Sequence, residues 1–355
     1  MIEQAPTRTP RFPLRKAKSL PGFKLHGSAA DRLVSIWHLY KVTFTVTLRH
    51  VFGRPSVSEW TWTFETANAM LREQMKGAFE RPTAAEGRAL LDALQFNPSE
   101  VPDVERQSTG PGAPSGEWFV PRNAVPGRTM LYLHGGGYGF YGASYGQGVA
   151  LVAETAGART FCLNYRLAPE HPHPAQLEDA VAAYRWLLSE GVPPNTLVIA
   201  GDSAGGHLMI MLLVELKRLG LPFPALGVGL CPWTDTGDRG ESLFANNRYD
   251  WVQGEHTRIF SRWYHGSTTA SPAQTSLFSL DLRGLPPLYL QAGGREILVD
   301  MIREFSETAK TQGVDVNLDI WDSMTHDFQF YGNLLPESRE ALIKIGAIVD
   351  HHTGG

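Results

Sequence analysis

The sequence predicts an α/β fold built on a mostly parallel β-sheet that helices cover on both faces. The first observation is that short apolar runs rich in β-branched residues alternate with helical segments over most of the chain after residue 96. The second is that these runs are almost continuously apolar, as in strands buried on both faces. Ligands of such sheets bind beyond the carboxyl ends of the strands, so functional residues are expected there.

The composition fits one large domain with insertions, or two domains. The chain has 355 residues, a hydrophobic fraction of 43% and a formal net charge of −4. This is enough apolar material for a sizeable core, and it gives no overall bias towards nucleic acid. Cys162 and Cys231 lie in apolar, strand-like runs without metal-site spacing, which indicates buried free thiols. We expect no cofactor and no metal.

The N-terminal segment is polar and interrupted by prolines. It lacks the apolar stretch of a secretory signal, and no window of the chain reaches the ~20 apolar residues that span a bilayer. We therefore expect a cytoplasmic protein without an integral membrane span, and a homodimer is compatible with the sequence. The segment also holds a basic cluster, interpreted as a solvated tail with contact to anionic lipid as the alternative: Arg8, Arg11, Arg15, Lys16 and Lys18.

Residues 1–95 are predicted to form a mostly helical N-terminal region that contributes to a cap. Segment 31–52 has apolar residues at helical spacing in its first half and alternating ones in its second half, so helix and strand both remain open there. We favour an amphipathic helix packed on the protein over one lying on a membrane surface. Residues 62–79 and 84–94 predict two further helices, the second after a capping signal at Thr83.

Residues 96–355 are predicted to form the α/β domain. It opens with a hairpin whose two strands are joined by a turn rich in glycine and proline. The strands are expected at 104–108, 117–120, 129–133, 159–164, 196–200, 225–231, 287–292 and 315–321, and the helices at 143–156, 175–189, 203–219, 297–312 and 336–350. Residues 233–275 break this alternation and predict a lid inserted over the site, since long connections often have that role.

The segment from Gly201 to Gly205 fits the pattern G-x-S-x-G between a predicted strand and a predicted helix. Small residues around a serine at such a junction allow a sharp turn that exposes the hydroxyl group, the arrangement called a nucleophile elbow. The five-residue pattern alone is weak, and its position makes it informative. We predict that Ser203 is a nucleophile rather than part of an ordinary glycine-rich turn.

Three glycines follow His134 at the end of the strand predicted at 129–133. Glycine lets a substrate approach closely and permits unusual backbone angles, so backbone N–H groups can point at a developing negative oxygen. The segment lacks the lysine and Ser/Thr of a phosphate-binding loop. We predict that the N–H groups of Gly135, Gly136 and Ala204 form an oxyanion hole, where losing one donor typically costs a factor of about 10²–10³ in rate.

A serine nucleophile needs a base, and the base needs an acid that orients it. His326 is the best base after the serine, because it follows the last predicted strand. The acid should follow the preceding strand, where Glu296 and Asp300 are both available. Glu296 is nearer the strand end, whereas Asp300 is placed to charge the first turn of the next helix.

Three motifs in this order resemble the hormone-sensitive-lipase-like family of α/β-hydrolase esterases. They are His134-Gly135-Gly136-Gly137, Asn164-Tyr165-Arg166-Leu167-Ala168-Pro169-Glu170-His171-Pro172 and Gly201-Asp202-Ser203-Ala204-Gly205-Gly206. The resemblance covers about residues 100–350. It implies an α/β-hydrolase fold with a helical cap, and a serine esterase that hydrolyses short- to medium-chain carboxylic esters through an acyl-enzyme.

The resemblance also implies roles for single residues. The family's acid usually opens an Asp-Pro-Leu-x-Asp segment thirty residues before the histidine, and the matching segment here opens with Glu296. We therefore predict a triad of Ser203, His326 and Glu296, with a glutamate in place of the usual aspartate. Tyr138 and Trp233 are predicted to line the substrate pocket.

Two alternatives stay open at this point. The same machinery can hydrolyse amides, lactones or sterol esters, and the motifs do not distinguish these substrates from simple esters. A non-catalytic small-molecule receptor on the same fold would be expected to lack part of the triad, whereas His326 is present. Asp202 and Glu170 are interpreted as structural, through a turn hydrogen bond or an ion pair.

Overall fold

The computed structural model describes residues 15–16, 22–97, 100–142, 145–266 and 271–354. Arg8, Arg11 and Lys18 of the predicted tail lie outside the described residues, as do residues 143–144 at the predicted start of one helix. None of the helices in the described part of the chain combines the length and the apolar character needed to cross a membrane.

The strands and helices are numbered along the chain. The strands are β1 (Arg15–Lys16), β2 (Gly22–Leu25), β3 (Leu94–Asn97), β4 (Glu100–Val101), β5 (Val104–Ser108), β6 (Gly116–Pro121), β7 (Thr129–Leu133), β8 (Arg159–Leu163), β9 (Leu197–Asp202), β10 (Leu226–Leu230), β11 (Leu288–Gly293) and β12 (Val316–Trp321). The helices are α1 (Ala29–Val51), α2 (Trp62–Phe79), α3 (Ala84–Asp92), α4 (Tyr145–Ala156), α5 (Ala175–Ser189), α6 (Ser203–Leu219), α7 (Ser242–Ala245), α8 (Gly254–His265), α9 (Pro272–Thr275), α10 (Val299–Thr311) and α11 (Pro336–Thr353).

Segment 31–52, where helix and strand were both open, is helical as far as Val51 and belongs to α1. Val42 and Val46 are one helical turn apart and are buried together against Met70 of α2. Packing of this face on α2 explains why the locally alternating residues form a helix. An antiparallel ribbon of β2 and β3 joins the two ends of the N-terminal region, and this ribbon was not predicted.

The main sheet has eight strands in the order β12-β11-β10-β9-β7-β8-β6-β5. The β5–β6 hairpin is antiparallel to its neighbour β8, and the remaining pairs are parallel. The helices α5, α6 and α10 pack on one face, and α4 and α11 pack on the other. The predicted fold class, a mostly parallel sheet covered on both faces, is confirmed.

The register of the sheet aligns the strand ends that carry the predicted motifs. Leu133 at the end of β7 pairs with Gly201 of β9, and Gly293 at the end of β11 pairs with Trp321 at the end of β12. Because these strands are parallel, the segments that follow them emerge at one edge of the sheet. The glycine run, the elbow and the loops of the predicted acid and base therefore meet at that edge.

Candidate active site

Ser203 lies at the junction of β9 and α6, where its backbone has a φ of +51°. This value is unusual for a residue with a side chain, and it turns the chain sharply from strand to helix. A Cβ at Gly205 would overlap the Leu133 carbonyl oxygen, and one at Gly201 would overlap the backbone of Gly205. The N–H group of Ala204 lies in the first turn of α6, where a helix has no acceptor of its own for it.

The loop after β7 contributes Gly136 and Gly137 to the cavity in front of the elbow. Their φ angles are +92° and +59°, in the region that glycine adopts without strain. Gly135 has a different partner, because its N–H donates to the Asp202 carboxylate over 3.0 Å. The prediction that Gly135 supplies an oxyanion donor is therefore corrected, since that hydrogen is already bound. Gly137 replaces it as a candidate donor beside Gly136.

His134 stabilises the glycine loop through ring stacking and hydrogen bonds. Its ring lies between those of Tyr141 and Tyr165, with centroid distances of 3.8 and 4.0 Å. The Tyr165 hydroxyl donates to the His134 carbonyl oxygen over 2.6 Å. Burial lowers the pKa of His134 to about 3, so the ring is neutral and its Nδ1–H donates to the Gly135 carbonyl oxygen over 2.8 Å. Tyr165 belongs to the second sequence motif, which thus holds the first one in place.

The adjacent strands β11 and β12 bring the predicted acid and base together. Glu296 Oε2 lies 3.7 Å from His326 Nδ1, slightly beyond hydrogen-bond length. Both side chains are buried, and His326 lines the same cavity as Ser203. Catalytic hydrogen bonds are often long before substrate binds and tighten afterwards, so this distance suits a triad.

Two further carboxylates lie against His326. Asp327 Oδ2 is 3.4 Å from His326 Nε2, and Asp250 accepts the backbone N–H of His326 over 3.1 Å. Asp250 also accepts the backbone N–H of Ile297 over 2.7 Å. A single buried carboxylate from the segment 233–275 thus fastens the loop of Glu296 to the loop of His326.

The cavity in front of Ser203 is small and mostly apolar. Its volume is about 20 Å³, on a scale where one water molecule needs about 10–15 Å³. Met75 of α2 contributes to its wall, together with Trp251 and Phe260 from the segment 233–275. The space next to the nucleophile is therefore limited by side chains from outside the main sheet.

A family model described as an alpha/beta hydrolase fold matches residues 130–330, which is more than half of the chain. The matched range includes Ser203, Glu296 and His326. The chain belongs to the α/β-hydrolase fold family.

Relatives of known name specify the chemistry of this hydrolase. It is 37% identical over 241 residues to the acetyl-hydrolase of Streptomyces hygroscopicus, an alignment that covers 67% of this chain and 80% of the relative. It is 28% identical over 281 residues to the carboxylesterase NlhH of Mycobacterium tuberculosis, which covers 73% of this chain and 88% of the relative. The hydrolase cleaves carboxylic esters.

Solved structures agree with this family. The crystal structure of an esterase from the bacterial hormone-sensitive lipase family matches the hydrolase with a TM-score of 0.69 and 32% identity. The match covers 93% of this chain and 100% of that chain. The resemblance that the three motifs predicted is confirmed.

One of the two predicted pocket residues of the hydrolase lies elsewhere. Tyr138 is fully buried, its hydroxyl donates to His207 Nδ1 over 2.5 Å, and its ring stacks on Tyr264. The prediction that Tyr138 lines the substrate pocket is therefore corrected, because its side chain packs in the core. Trp233 does line the cavity, and its backbone N–H donates to the Ser203 carbonyl oxygen over 2.9 Å.

The alternative acid of the hydrolase faces away from the histidine. Asp300 lies in the first turn of α10, and its Oδ2 accepts the backbone N–H of Ser242 over 2.8 Å. Asp202 accepts the Tyr132 hydroxyl over 2.8 Å as well as the glycine-loop N–H described above. This agrees with the structural interpretation of Asp202.

The N-terminal region of the hydrolase is tied to both supporting loops of the site. Arg88 of α3 donates to the carbonyl oxygens of Gly139 and Ala168 over 2.7 and 2.9 Å. It also pairs with Glu170 over 2.7 Å, the ion pair expected for that residue. Arg88 therefore joins α3 to the glycine loop and to the second sequence motif.

The carboxylates around His326 control its charge. Burial alone would lower the pKa of His326, but Asp327, Glu296 and Asp250 outweigh it and raise the pKa to about 10. Burial in turn raises the pKa of Asp250 to about 6, with the charge of His326 opposing it. The carboxylates therefore stabilise the imidazolium that forms when His326 takes a proton during ester cleavage.

Cys231, His326 and Asp327 place a thiol, an imidazole and a carboxylate within 4.8 Å of one another. These are metal-ligand types, but thiols bind metals as thiolates. Burial raises the pKa of Cys231 well above its usual range, so the thiol keeps its proton. The group is a poor fit for a metal ion and a better fit for the surroundings of a proton-transferring histidine.

Asp327 and Asp250, the two additional acids, differ in whether the sequence could have predicted them. Asp327 is adjacent to the predicted base, and that adjacency was a signal for it. Asp250 lies in the segment 233–275 and reaches the site only because that segment folds back over the strand ends. No local pattern marks it.

Proposed function

We propose that Ser203 attacks the ester carbonyl and forms an acyl-enzyme. His326 takes the serine proton and returns it to the leaving alkoxide, and Glu296 orients the imidazole. The observation that carries this proposal is that Ser203, at its positive φ, shares one cavity with His326, whose Nδ1 lies 3.7 Å from Glu296. Water then attacks the acyl-enzyme, with His326 as the base again.

The oxyanion of each tetrahedral intermediate is assigned to the backbone N–H groups of Gly136, Gly137 and Ala204. Two of these residues line the cavity, and the third lies at the N-terminus of α6. Donors held by the backbone need no reorganisation when charge develops, which is the main source of their effect on rate.

The preferred acyl group in this proposal is acetyl. The 20 Å³ cavity supports a short acyl chain, and the Streptomyces relative is named an acetyl-hydrolase. We further propose that residues 1–95 and 233–275 form the cap of a catalytic domain spanning 96–355, because both segments supply walls of the cavity. The cytoplasmic location and the homodimer stay predictions.

Hydrolysis of p-nitrophenyl acetate tests the proposal. Ser203→Ala should reduce activity to the level of the buffer, since the attacking oxygen is removed, and should abolish labelling by a fluorophosphonate. Circular dichroism checks that the variant is folded. Activity unchanged in a folded Ser203→Ala protein would refute the mechanism.

A further inference from the structure

Helix α1 carries apolar side chains on two opposite sides. Val42 and Val46 face α2 and are buried. Opposite them lies what we call the outer face, whose members are between 40% and 71% exposed: Leu33, Ile36, Trp37, Tyr40, Phe44, Leu48 and Val51. At ~100° per residue, these positions fall within an arc of about 120° around the helix.

The outer face is large for an exposed apolar surface. The rings of Trp37 and Tyr40 stack with centroids 6.0 Å apart, and those of Tyr40 and Phe44 with centroids 6.3 Å apart. These three residues are each about 60% exposed, so at ~200 Å² apiece they present roughly 350 Å². The largest apolar patch on a typical monomer is about 300–600 Å² in all, and larger ones mark interaction sites. The four aliphatic members add further area.

The segment of sequence that contains α1 is basic. Residues 1–54 hold ten lysines and arginines and two acidic residues, a net charge of +8, whereas the whole chain carries −4 and residues 55–355 therefore carry −12. Arg32 and Lys41 flank the outer face along the helix, and Arg54 follows its end; all three are exposed. Lys41 pairs with Glu73 over 2.8 Å and Arg49 with Glu65 over 3.2 Å, so the exposed positive charge that borders the outer face comes chiefly from Arg32 and Arg54.

We propose that the outer face of α1 docks on an anionic membrane surface. An apolar face with aromatic residues, bordered by Lys and Arg, is the pattern of helices that lie in the plane of the headgroups. The basic side chains would contact lipid phosphates, and the aromatic rings would lie at headgroup level, where such rings are enriched. Because α1 contains Asp31, Arg32, Lys41 and Arg49, it lies on the membrane and does not cross it.

A second copy of the chain fits the outer face less well. In a two-fold dimer the same surface meets itself, so the exposed Arg32, Lys41 and Arg54 of both copies would be brought together. That repulsion opposes a dimer, whereas an anionic lipid surface compensates the charge. Docking would also bring the membrane close to the cavity. Helix α2 packs on α1 with one side and contributes Met75 to the cavity, so the membrane would lie next to the cap.

Sedimentation with lipid vesicles tests the proposal. We expect the full chain to sediment with vesicles of equal parts phosphatidylcholine and phosphatidylglycerol, and more weakly with phosphatidylcholine alone. The double substitution Trp37→Ser, Phe44→Ser should weaken partitioning at least tenfold by removing apolar area. Leu334→Ser, at an apolar side chain that is 48% exposed outside the outer face, serves as the control and should bind like the wild type.

A second pair of variants tests the charge. Arg32→Glu with Arg54→Glu should weaken binding to the anionic vesicles roughly tenfold or more, and Arg122→Glu, at a side chain 88% exposed elsewhere, should leave it unchanged. Wild-type protein that fails to sediment with anionic vesicles would overturn the proposal. The proposal would also be overturned if the variant Trp37→Ser, Phe44→Ser still bound anionic vesicles but changed from dimer to monomer in gel filtration. The outer face would then be the contact between two copies of the chain. Hydrolysis of p-nitrophenyl acetate in the same samples should be unchanged, which separates this test from that of the proposed mechanism.

Discussion

Three carboxyl groups act on His326 from three directions. Glu296 faces Nδ1, Asp327 faces Nε2, and Asp250 holds the backbone N–H. A serine esterase triad needs one orienting acid, so the roles of these groups are separable by substitution. Only the partner of Nδ1 sets the tautomer in which Nε2 is free to accept the serine proton.

Replacing Glu296 with Gln should lower kcat by orders of magnitude, because the amide stabilises neither the tautomer nor the imidazolium. The corresponding Asp→Asn change in a serine protease costs about 10⁴-fold. Asp300→Asn is the matched control and should have a mild effect, since Asp300 bonds to Ser242 instead. Steady-state kinetics with p-nitrophenyl acetate compares the two variants, and the reverse order of effects would transfer the acid role to Asp300.

Asp327→Asn should move the acidic limb of the kcat/KM profile to lower pH. The Asp327 charge near Nε2 favours the imidazolium and contributes to the raised pKa of His326. Removing that charge lowers the pKa, so the neutral base persists to lower pH. A pH profile of p-nitrophenyl acetate hydrolysis measures the shift, and a shift towards higher pH would contradict the assigned electrostatics.

At the level of elements, α2 and α8 set the size of the cavity. Met75 of α2 and Phe260 of α8 both line it, and the Phe79 ring packs against Phe260 at a centroid distance of 4.9 Å. The walls therefore come from two segments that are distant in sequence and packed on each other.

Met75→Ala should enlarge the cavity and change the acyl preference. Removing most of this side chain leaves space beside the nucleophile, so the ratio of kcat/KM for p-nitrophenyl butyrate to that for the acetate should rise about tenfold, within the range for one or two methylene groups. Leu71→Ala, on the exposed side of the same helix, is the control for loss of helix stability. An unchanged ratio would place the acyl chain elsewhere.

At the level of the whole molecule, buried neutral histidines couple stability to pH. Burial lowers the pKa of His134 to about 3 and that of His207 to about 4. In the unfolded chain a histidine titrates near 6.5. At a pH between the folded-state and unfolded-state pKa values, the unfolded chain binds more protons than the folded protein. The contribution to stability is therefore complete above about pH 6.5 and is lost as the pH falls towards the folded-state pKa values.

The substitution His207→Gln should make unfolding less dependent on pH. At pH 5 a histidine that stays neutral when folded costs about 2 kcal/mol of stability relative to pH 7, and the variant lacks this contribution. Urea unfolding at pH 7 and pH 5 gives the difference for both proteins. Equal differences in the wild type and the variant would show that His207 is protonated in the folded state.

The sequence was sufficient to predict which residues lie at the ends of the strands. The triad candidates were found because each follows a predicted strand, and the parallel register then brings Gly293 beside Trp321. The donor role of Gly135 and the pocket role of Tyr138 were wrong for a shared reason. Each depends on a partner distant in the chain, Asp202 and His207, which no local pattern reveals.

The clamp formed by Arg88 has a consequence for protein engineering. The matched family region begins at residue 130, yet the glycine loop and the second motif are both held by a side chain forty-two positions before it. A fragment truncated at the family boundary would also lose Met75 from the wall of the cavity. A shortened version of this enzyme should therefore keep α2 and α3, because these helices supply Met75 to the cavity and Arg88 to the loops that support the site.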